Sequence, residues 1–333
     1  MKLSADHFQH LEDSIEDGQR DIRSAALMGI SGFGLLPYTP FSVQNAQGTS
    51  PQSVRVILNA CRAIMPGGYR VEILPENVQR LQLPTRSPFV EFVPNQGVRY
   101  HLFLSVHEHK RIPAGIAQTR PIRYPYLSHD YQLECIPQDK VASVQNLAPN
   151  RMKIAEWQDG KVIEGYIPPT LAIKGFPLLE KWYQFFENQL ENMVRVGLHV
   201  INENRKKDPA RAEFCLPIIQ QIRGTQGYFK WVLPNQSPLY LAAYFGDLAG
   251  LIEGLIEMCD RDFVRNQLKN GQVNNLRSSV HDVLRPRVIP QEEMAVVVSA
   301  IQRFCAALIA TLQLLITKAP PATKVGDRKI SSG

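Results

Sequence analysis

The stretch SVRVILNACRAIMPGGYRVEIL, residues 53–74, contains two runs that are rich in β-branched and other apolar residues. Runs of this composition, bounded by turn residues, are typical of β-strands. Pro66, Gly67 and Gly68 separate the runs, and this order of residues favours a tight turn. The stretch therefore predicts a β-hairpin in the first half of the chain.

Two further strands are predicted in the segments FVEFVP (89–94) and VRYHLFLSVHEH (98–109). In the second segment a period-two alternation places one set of residues on a single face: Tyr100, Leu102, Leu104 and Val106. Asp159-Gly160 marks another hairpin turn. Because no helical pattern lies between these strands, an antiparallel sandwich or barrel is favoured over a doubly wound sheet.

After residue 175 the apolar residues recur at spacings of three and four, which predicts a long amphipathic helix ended by Pro209. Three more helices are predicted near residues 210–223, 237–258 and 291–317, the second capped by Ser237 with Pro238 in its first turn. Together they predict a helical bundle, with spacing that also suits packing against other copies. The residues expected to pack the bundle or a trimer are Leu179, Trp182, Phe186, Leu190, Met193 and Leu241, with Gly197 and Val200 on the same stripe.

These patterns predict an α+β multidomain fold, with an N-terminal antiparallel β-sandwich followed by an α-helical bundle. The predicted divisions are an N-terminal segment and helix (1–28), the sandwich (29–168), the bundle (169–318) and a basic tail (319–333). Ile167-Pro168-Pro169 is expected to form the hinge between sandwich and bundle, because proline stiffens the chain and cannot donate to a ladder.

Composition excludes several classes of function. The chain has 333 residues and a formal net charge of +6, but no block of five like charges and no interleaving of aromatic and basic residues. Nucleic-acid binding is therefore not expected. Five scattered cysteines argue against a disulfide framework and a four-thiolate zinc site. With no signal-peptide pattern at the N-terminus, a reducing cytoplasm is expected.

The apolar segment 294–317 is nearly long enough to span a bilayer. Arg303 lies in its middle, however, and a central arginine costs about 2.5 to 3.5 kcal/mol on insertion. We therefore interpret the segment as a helix of the bundle.

Enzyme motifs are scarce in the sequence. Gly29, Gly32 and Gly34 are not followed by a predicted helix, so they favour a tight turn into the first strand over a dinucleotide site. His101, His107 and His109 share one face of a strand, which leaves a metal-dependent β-barrel enzyme as an alternative. His101 lies about 20 Å from the other two along an extended strand, too far for a shared ion.

Three short segments follow one another in an informative order between residues 3 and 250. The first is LSADHFQ (3–9), the second is Tyr166-Ile167-Pro168-Pro169, and the third is SPLYL (237–241) followed by Leu248-Ala249-Gly250. In this order they resemble the TssK family of type VI secretion baseplate proteins. Ala5-Asp6 departs from the Pro-Gln that is usual there.

The resemblance implies a homotrimeric structural adaptor without cofactor or small-molecule substrate, not an enzyme. Its β domain, similar to the shell domain of phage receptor-binding proteins, would dock on the wedge proteins TssG and TssF. It would act in the cytoplasm, at the cytoplasmic face of the inner membrane. The usual C-terminal domain is not expected after Thr317, which suggests a Bacteroidota-type system and leaves the membrane-complex partner open. A phage-tail receptor-binding or baseplate protein is the alternative.

The resemblance also implies that Leu3, His7, Phe8 and Gln9 bind the wedge. The other possibility is that Phe8 fixes the first helix, expected to begin at residues 11–15, to its own β domain. The sequence leaves both open.

Overall fold

The predicted hairpin lies at the centre of a five-stranded antiparallel sheet. The computed structural model describes residues 5–26, 33–37, 41–74, 88–114, 118–119, 122–123, 126–141, 150–258, 270–285 and 293–316. The sheet contains β1 (Gly34–Leu35), β2 (Ser42–Gln47), β3 (Val54–Ile64), β4 (Arg70–Ile73) and β5 (Phe89–Phe92). The first half of β3 pairs with β2 and β5, and its second half with β1 and β4, so this strand holds the sheet together.

The hairpin turn after β3 forms as predicted. The Met65 N–H donates to the Tyr69 carbonyl at 2.8 Å, and the Gly68 N–H donates to the Met65 carbonyl at 2.8 Å. Gly68 has a φ of +80°, in the left-handed region where glycine is favoured. The glycine is therefore required by the turn itself.

A second antiparallel sheet follows in the chain. It contains β6 (Tyr100–Ala114), β9 (Tyr126–Pro137), β10 (Arg151–Gln158) and β11 (Lys161–Val162) in the order β11-β10-β6-β9, while β7 (Gln118–Thr119) and β8 (Ile122–Arg123) form a separate ribbon. Asp159 and Gly160 have φ values of +48° and +87°, so the predicted turn between β10 and β11 is of the two-residue hairpin kind. The predicted alternating face of β6 is buried.

The two sheets enclose one hydrophobic core. Its fully buried members come from both sheets and include Val56, Leu58, Cys61, Met65, Leu102, Leu104, Met152 and Trp157. A bulge at Asn59 moves the core-facing positions of β3 from even numbers to odd numbers. The predicted sandwich is confirmed.

The chain leaves the sandwich through a segment that is tied to β1. The Leu35 N–H donates to the Pro169 carbonyl at 2.8 Å, and the Leu171 N–H donates to the Leu35 carbonyl at 2.9 Å. Residues 166–170 are buried. The Pro-Pro segment predicted as a hinge is therefore held by two backbone hydrogen bonds, one to the N–H of Leu35 and one to its carbonyl.

The helices are α1 (Ala5–Ala26), α2 (Pro177–Asn204), α3 (Pro209–Gly227), α4 (Pro238–Met258), α5 (Asn270–Leu284) and α6 (Met294–Ile316). Two details of the prediction are wrong: α1 begins at Ala5, and Pro209 begins α3, where proline is tolerated in the first turn. The sequence analysis missed α5, which is polar and rich in asparagine. Its buried residues, Val273, Leu276 and Val280, nevertheless keep helical spacing.

Packing divides the chain into two units that each combine separate segments. The first unit comprises Met1–Phe185, Gly227–Tyr244 and Pro286–Ser299, and the second comprises Phe186–Gln226, Phe245–Arg285 and Ala300–Gly333. The predicted boundary at residue 168 lies within the first unit. The predicted tail, 319–333, lies outside the described residues.

Polar side chains close one end of the second unit. Arg211 Nη1 donates to the Leu315 carbonyl at 3.0 Å, and Asn204 Nδ2 donates to the same carbonyl at 3.4 Å. Arg211 Nε lies 2.9 Å from Asp208 Oδ2, and the side chain is buried. The last carbonyls of a helix have no partner within it, so this contact satisfies the end of α6.

Among the described residues, α4 and α6 are long and apolar enough to cross a membrane by length and composition. Core helices of soluble proteins share this property, and α6 buries Phe304, Leu308 and Leu312 within its own unit. Arg303 is exposed and pairs with Asp282 at 3.1 Å.

A network around Glu91 joins β5 to the turn before β3. Thr49 donates to Glu91 Oε1 from its hydroxyl at 2.5 Å and from its N–H at 2.6 Å, and Ser53 Oγ donates at 2.7 Å. Arg55 Nη2 lies 2.9 Å from Oε2. The hydrogen bonds from Thr49 and Ser53, with that from Arg55, lower the pKa of Glu91 to about 2.

Gly34→Ala should destabilise the protein. A Cβ at Gly34 would lie 2.7 Å from the Pro169 carbonyl carbon, and φ there is +141°. We expect the free energy of unfolding to fall by about 2 to 3 kcal/mol in denaturant titration, because both a clash and backbone strain are introduced. Gly165→Ala is the matched control, since a Cβ there meets nothing within 4 Å. Equal stability of the two variants would contradict the prediction.

Glu91→Gln should produce a pH-dependent loss of thermal stability. The ionised carboxylate is favoured in the folded state, so its contribution is present above the ordinary pKa of 4.5 and disappears as the pH falls towards 2. We expect a lower Tm than the wild type at pH 7 and a shrinking difference between pH 4.5 and 2. Glu164→Gln, at an exposed turn, serves as the control. A Tm difference between the two proteins that is the same at every pH would show that the ionised Glu91 carboxylate is not the cause.

Candidate docking surface

Helix α1 lies against the sandwich through a charged face. Arg111 on β6 donates through Nη2 to Asp13 Oδ1 at 2.6 Å and to Glu16 Oε2 at 3.0 Å. His129 on β9 places Nε2 3.5 Å from the same Glu16 oxygen. The middle of α1 is therefore held by an arginine that contacts two successive acidic side chains.

The C-terminal half of α1 is held by the hairpin that follows β3. Arg20 Nη1 donates to the Tyr69 hydroxyl at 2.5 Å, and its guanidinium lies 4.7 Å from the centroid of the same ring. Arg23 Nη1 donates to the Gly68 carbonyl at 3.0 Å. Among the described side chains, α1 is therefore attached to the sandwich by hydrogen bonds, ion pairs and a cation–π contact.

The opposite face of α1 is apolar and exposed to solvent. Leu11, Ile15 and Ile22 are 57%, 52% and 70% exposed. With Gly18 they follow spacings of four, three and four, which aligns them in one stripe. An amphipathic helix normally buries its apolar stripe and exposes its charged face. In α1 the charged face contacts the sandwich and the apolar stripe is exposed. We call these four residues the α1 stripe.

The predicted wedge-binding residues are only partly described. His7 is exposed in the first turns of α1. Phe8 and Gln9 are helical, but their side chains lie outside the described residues, as does Leu3. The sequence analysis missed the docking potential of the α1 stripe, although the spacing of Leu11, Ile15 and Ile22 was visible in the sequence.

The residues predicted to pack the bundle or a trimer are used inside one chain. Leu179, Phe186, Leu190, Met193 and Leu241 are almost fully buried. Trp182 is half-buried and packs edge-to-face against Phe185 at 5.6 Å.

Two of the three histidines of the alternative metal site, His101 and His107, have described side chains. His101 lies 3.7 Å from Glu156 Oε1, and burial together with the charges of Lys153 and Arg99 lowers its pKa to about 4. His107 is exposed, and the side chain of His109 lies outside the described residues. Within the described part of the chain, no group of three His, Cys, Asp or Glu side chains is placed to hold a metal ion.

The described cysteines are poor nucleophiles. Burial raises the pKa of the Cys61, Cys135 and Cys215 thiols to about 12, and raises that of Cys305 as well. A thiol is reactive as its thiolate, so these groups are neutral and inert near pH 7. Cys259 lies outside the described residues.

Comparison with known proteins places this architecture among type VI secretion baseplate structures. No family model matches the sequence, and the search of curated proteins found no match. A crystal structure of TssK matches 94% of this chain and 67% of that one, with a TM-score of 0.54 and 15% identity. TssK from the EAEC type VI system, in complex with a nanobody, matches 89% and 68% with a TM-score of 0.57 and 14% identity.

A baseplate complex from the type VI secretion system matches 95% of this chain and 96% of that one, with a TM-score of 0.54 and 13% identity. The particular fold is therefore that of TssK. At these identities the likeness establishes the fold and leaves the function to be proposed.

Arg111→Met should loosen α1 without unfolding the sandwich. The variant removes the charge-assisted hydrogen bonds to Asp13 and Glu16. Because both carboxylates are partly exposed, the free energy lost is small. We expect amide hydrogen exchange in residues 5–26 to become about tenfold faster while the strands keep their protection.

Arg99→Met is the control for this experiment, because Arg99 pairs with Glu156 at 3.6 Å just before β6 begins, at the opposite end of that strand from Arg111. Unchanged protection of residues 5–26 in Arg111→Met would show that the arginine does not hold the helix.

Proposed function

We propose that this protein is a structural adaptor of a type VI secretion baseplate, a homotrimer that docks on the TssF/TssG wedge and links it towards the membrane complex. The observation that carries the proposal is the TssK fold, which extends over 89% to 95% of the chain in matches to TssK and to a baseplate complex. One of the matching structures is a TssK-TssF-TssG baseplate subcomplex. The proposed location is the cytoplasmic face of the inner membrane.

The chemistry of the described residues supports a binding role over a catalytic one. The described thiols have raised pKa values, and the described His, Cys, Asp and Glu side chains form no metal cluster. By contrast, α1 presents apolar side chains to solvent on a helix that the protein holds in place. Apolar residues on a fixed element are typical of an interaction surface.

The trimer contact uses apolar residues that a single chain leaves exposed. Trp231 is 73% exposed, and Tyr228 and Val232 lie beside it in the same π-helical turn of the first unit. Aromatic side chains are enriched at the energetically dominant positions of interfaces. We place the trimer contact at this turn, since the earlier candidates on α2 and α4 are buried within one chain.

Of the two possibilities that the sequence left open for Phe8, this proposal takes the contact with the wedge. Leu3, His7, Phe8 and Gln9 face the wedge in this proposal, and α1 is attached to its own sandwich through Arg111, as described above. Three copies then present three such segments, and several modest contacts act together.

The oligomeric state tests the first part of the proposal. Light scattering on the full chain should give three times 37.6 kDa. Trp231→Gln should shift the mass towards the monomer, because it removes an exposed apolar anchor without touching the core. Val93→Gln is the control, since Val93 is an exposed residue beyond β5. A stable monomer of the wild type at micromolar concentration would contradict the proposal.

Co-purification tests the second part. The full chain and a chain that lacks residues 1–20 are each co-expressed with TssF and TssG. We expect the full chain to recover the wedge proteins and the truncated chain to lose most of them. Full recovery by the truncated chain would exclude the N-terminal segment as the docking element.

A further inference from the structure

We infer that the α1 stripe is the docking site for a single basic amphipathic helix of a partner protein. This inference deepens the proposed docking role and rests on it. It assigns the contact to Leu11, Ile15, Gly18 and Ile22, downstream of the segment 3–9, and it specifies the chemistry of the partner.

The shape of the stripe fits one helix with large apolar side chains. Spacings of four, three and four are those of a heptad seam, in which side chains of one helix fill gaps on the other. A Cβ at Gly18 would meet nothing within 4 Å, so a gap lies open to solvent between Ile15 and Ile22. A leucine or phenylalanine of the partner fills this gap.

The charge of α1 selects the partner. Residues 5–26 contain six acidic residues and two arginines, a formal charge of −4 within a chain of net charge +6. Both arginines contact the hairpin after β3, through Tyr69 and Gly68. Asp21 is exposed beside the stripe, and the side chain of Asp17 is 65% exposed although it pairs with Arg20 at 3.2 Å. Lysines or arginines that flank the apolar residues of the partner therefore meet acidic groups, which favours that partner over others.

The same features disfavour two other occupants. A parallel second copy of α1 would place glycine opposite glycine and leave a gap. In either orientation a second copy brings acidic residues beside acidic residues, which adds repulsion. An anionic membrane surface attracts basic helices and repels one with a charge of −4. The basic tail of this chain, APPATKVGDRKISSG, lacks apolar residues at helical spacing.

Synthetic peptides test the inference on the full-length protein. The probe is a helical peptide as long as the 22 residues of α1, with leucine at the seam positions and lysine at the flanking positions. A second peptide carries glutamate in place of lysine, and a third has the composition of the first in scrambled order. Each peptide is titrated by fluorescence anisotropy.

We expect the lysine peptide to bind at least tenfold more tightly than the glutamate and scrambled peptides. The double variant L11Q/I15Q should weaken its binding at least tenfold, because it removes the exposed seam. Gly18→Leu should also weaken binding, since it fills the gap while raising helix propensity. Val93→Gln should bind as the wild type does, and an unchanged Tm for each variant shows that the fold is intact.

Equal binding of the three peptides, or binding unaffected by L11Q/I15Q, overturns the inference. Two other outcomes also overturn it: self-association that the double variant abolishes, which assigns the stripe to a second copy, and binding to phosphatidylglycerol vesicles. If peptide binding fails while the trimer and the wedge co-purification hold, only this inference falls. If peptide binding holds while those two experiments fail, the proposed baseplate role falls instead.

Discussion

The structure depends on the hydrogen bonding of β3, which pairs with two strands along its first half and with two others along its second half. A shift of one residue in its register would turn Val56 and Leu58 away from the core. The same strand ends in the hairpin that offers the Gly68 carbonyl and the Tyr69 hydroxyl to α1. The position of the docking helix is therefore a consequence of strand register in a different part of the domain.

Helix α1 is attached more weakly than the elements beneath it. The contacts of its described side chains with the sandwich are polar, and the side chains of Asp13 and Glu16 remain 48% and 42% exposed. Exposed ion pairs contribute little, typically about 0 to 1 kcal/mol each, whereas a buried apolar stripe contributes several times more. The described contacts therefore orient α1 with modest interactions and leave its apolar stripe exposed.

Much of the fold is predictable from the sequence because its signals are local. The turn at Pro66-Gly67-Gly68, the turn at Asp159-Gly160 and the alternation along β6 each depend on residues close together in the chain. The register of β3 was not predictable in full, because the bulge at Asn59 changes which residues face the core. Helix α5 was not predicted because its residues have low helix propensity, and packing against the rest of the chain stabilises the helix.

The candidate site was harder to predict for a physical reason. The sequence shows that α1 has an apolar face, but not that the face points outwards. That orientation is set by Arg111, which lies 98 residues from Asp13, and by Tyr69, which lies 49 residues from Arg20. Contacts at such separations have no signature in a single sequence.

The closure of the helical unit by Arg211 and Asn204 has a consequence for biosynthesis. Both side chains bind the Leu315 carbonyl, which lies 104 residues after Arg211 and 111 residues after Asn204 in the chain. Each packed unit also draws on three separate segments, the last of them after residue 285. A chain that emerges from the ribosome in order cannot complete either unit until nearly all of it has been synthesised. The residues of α2 and α3 that are buried in the finished unit therefore lack their later packing partners for most of translation.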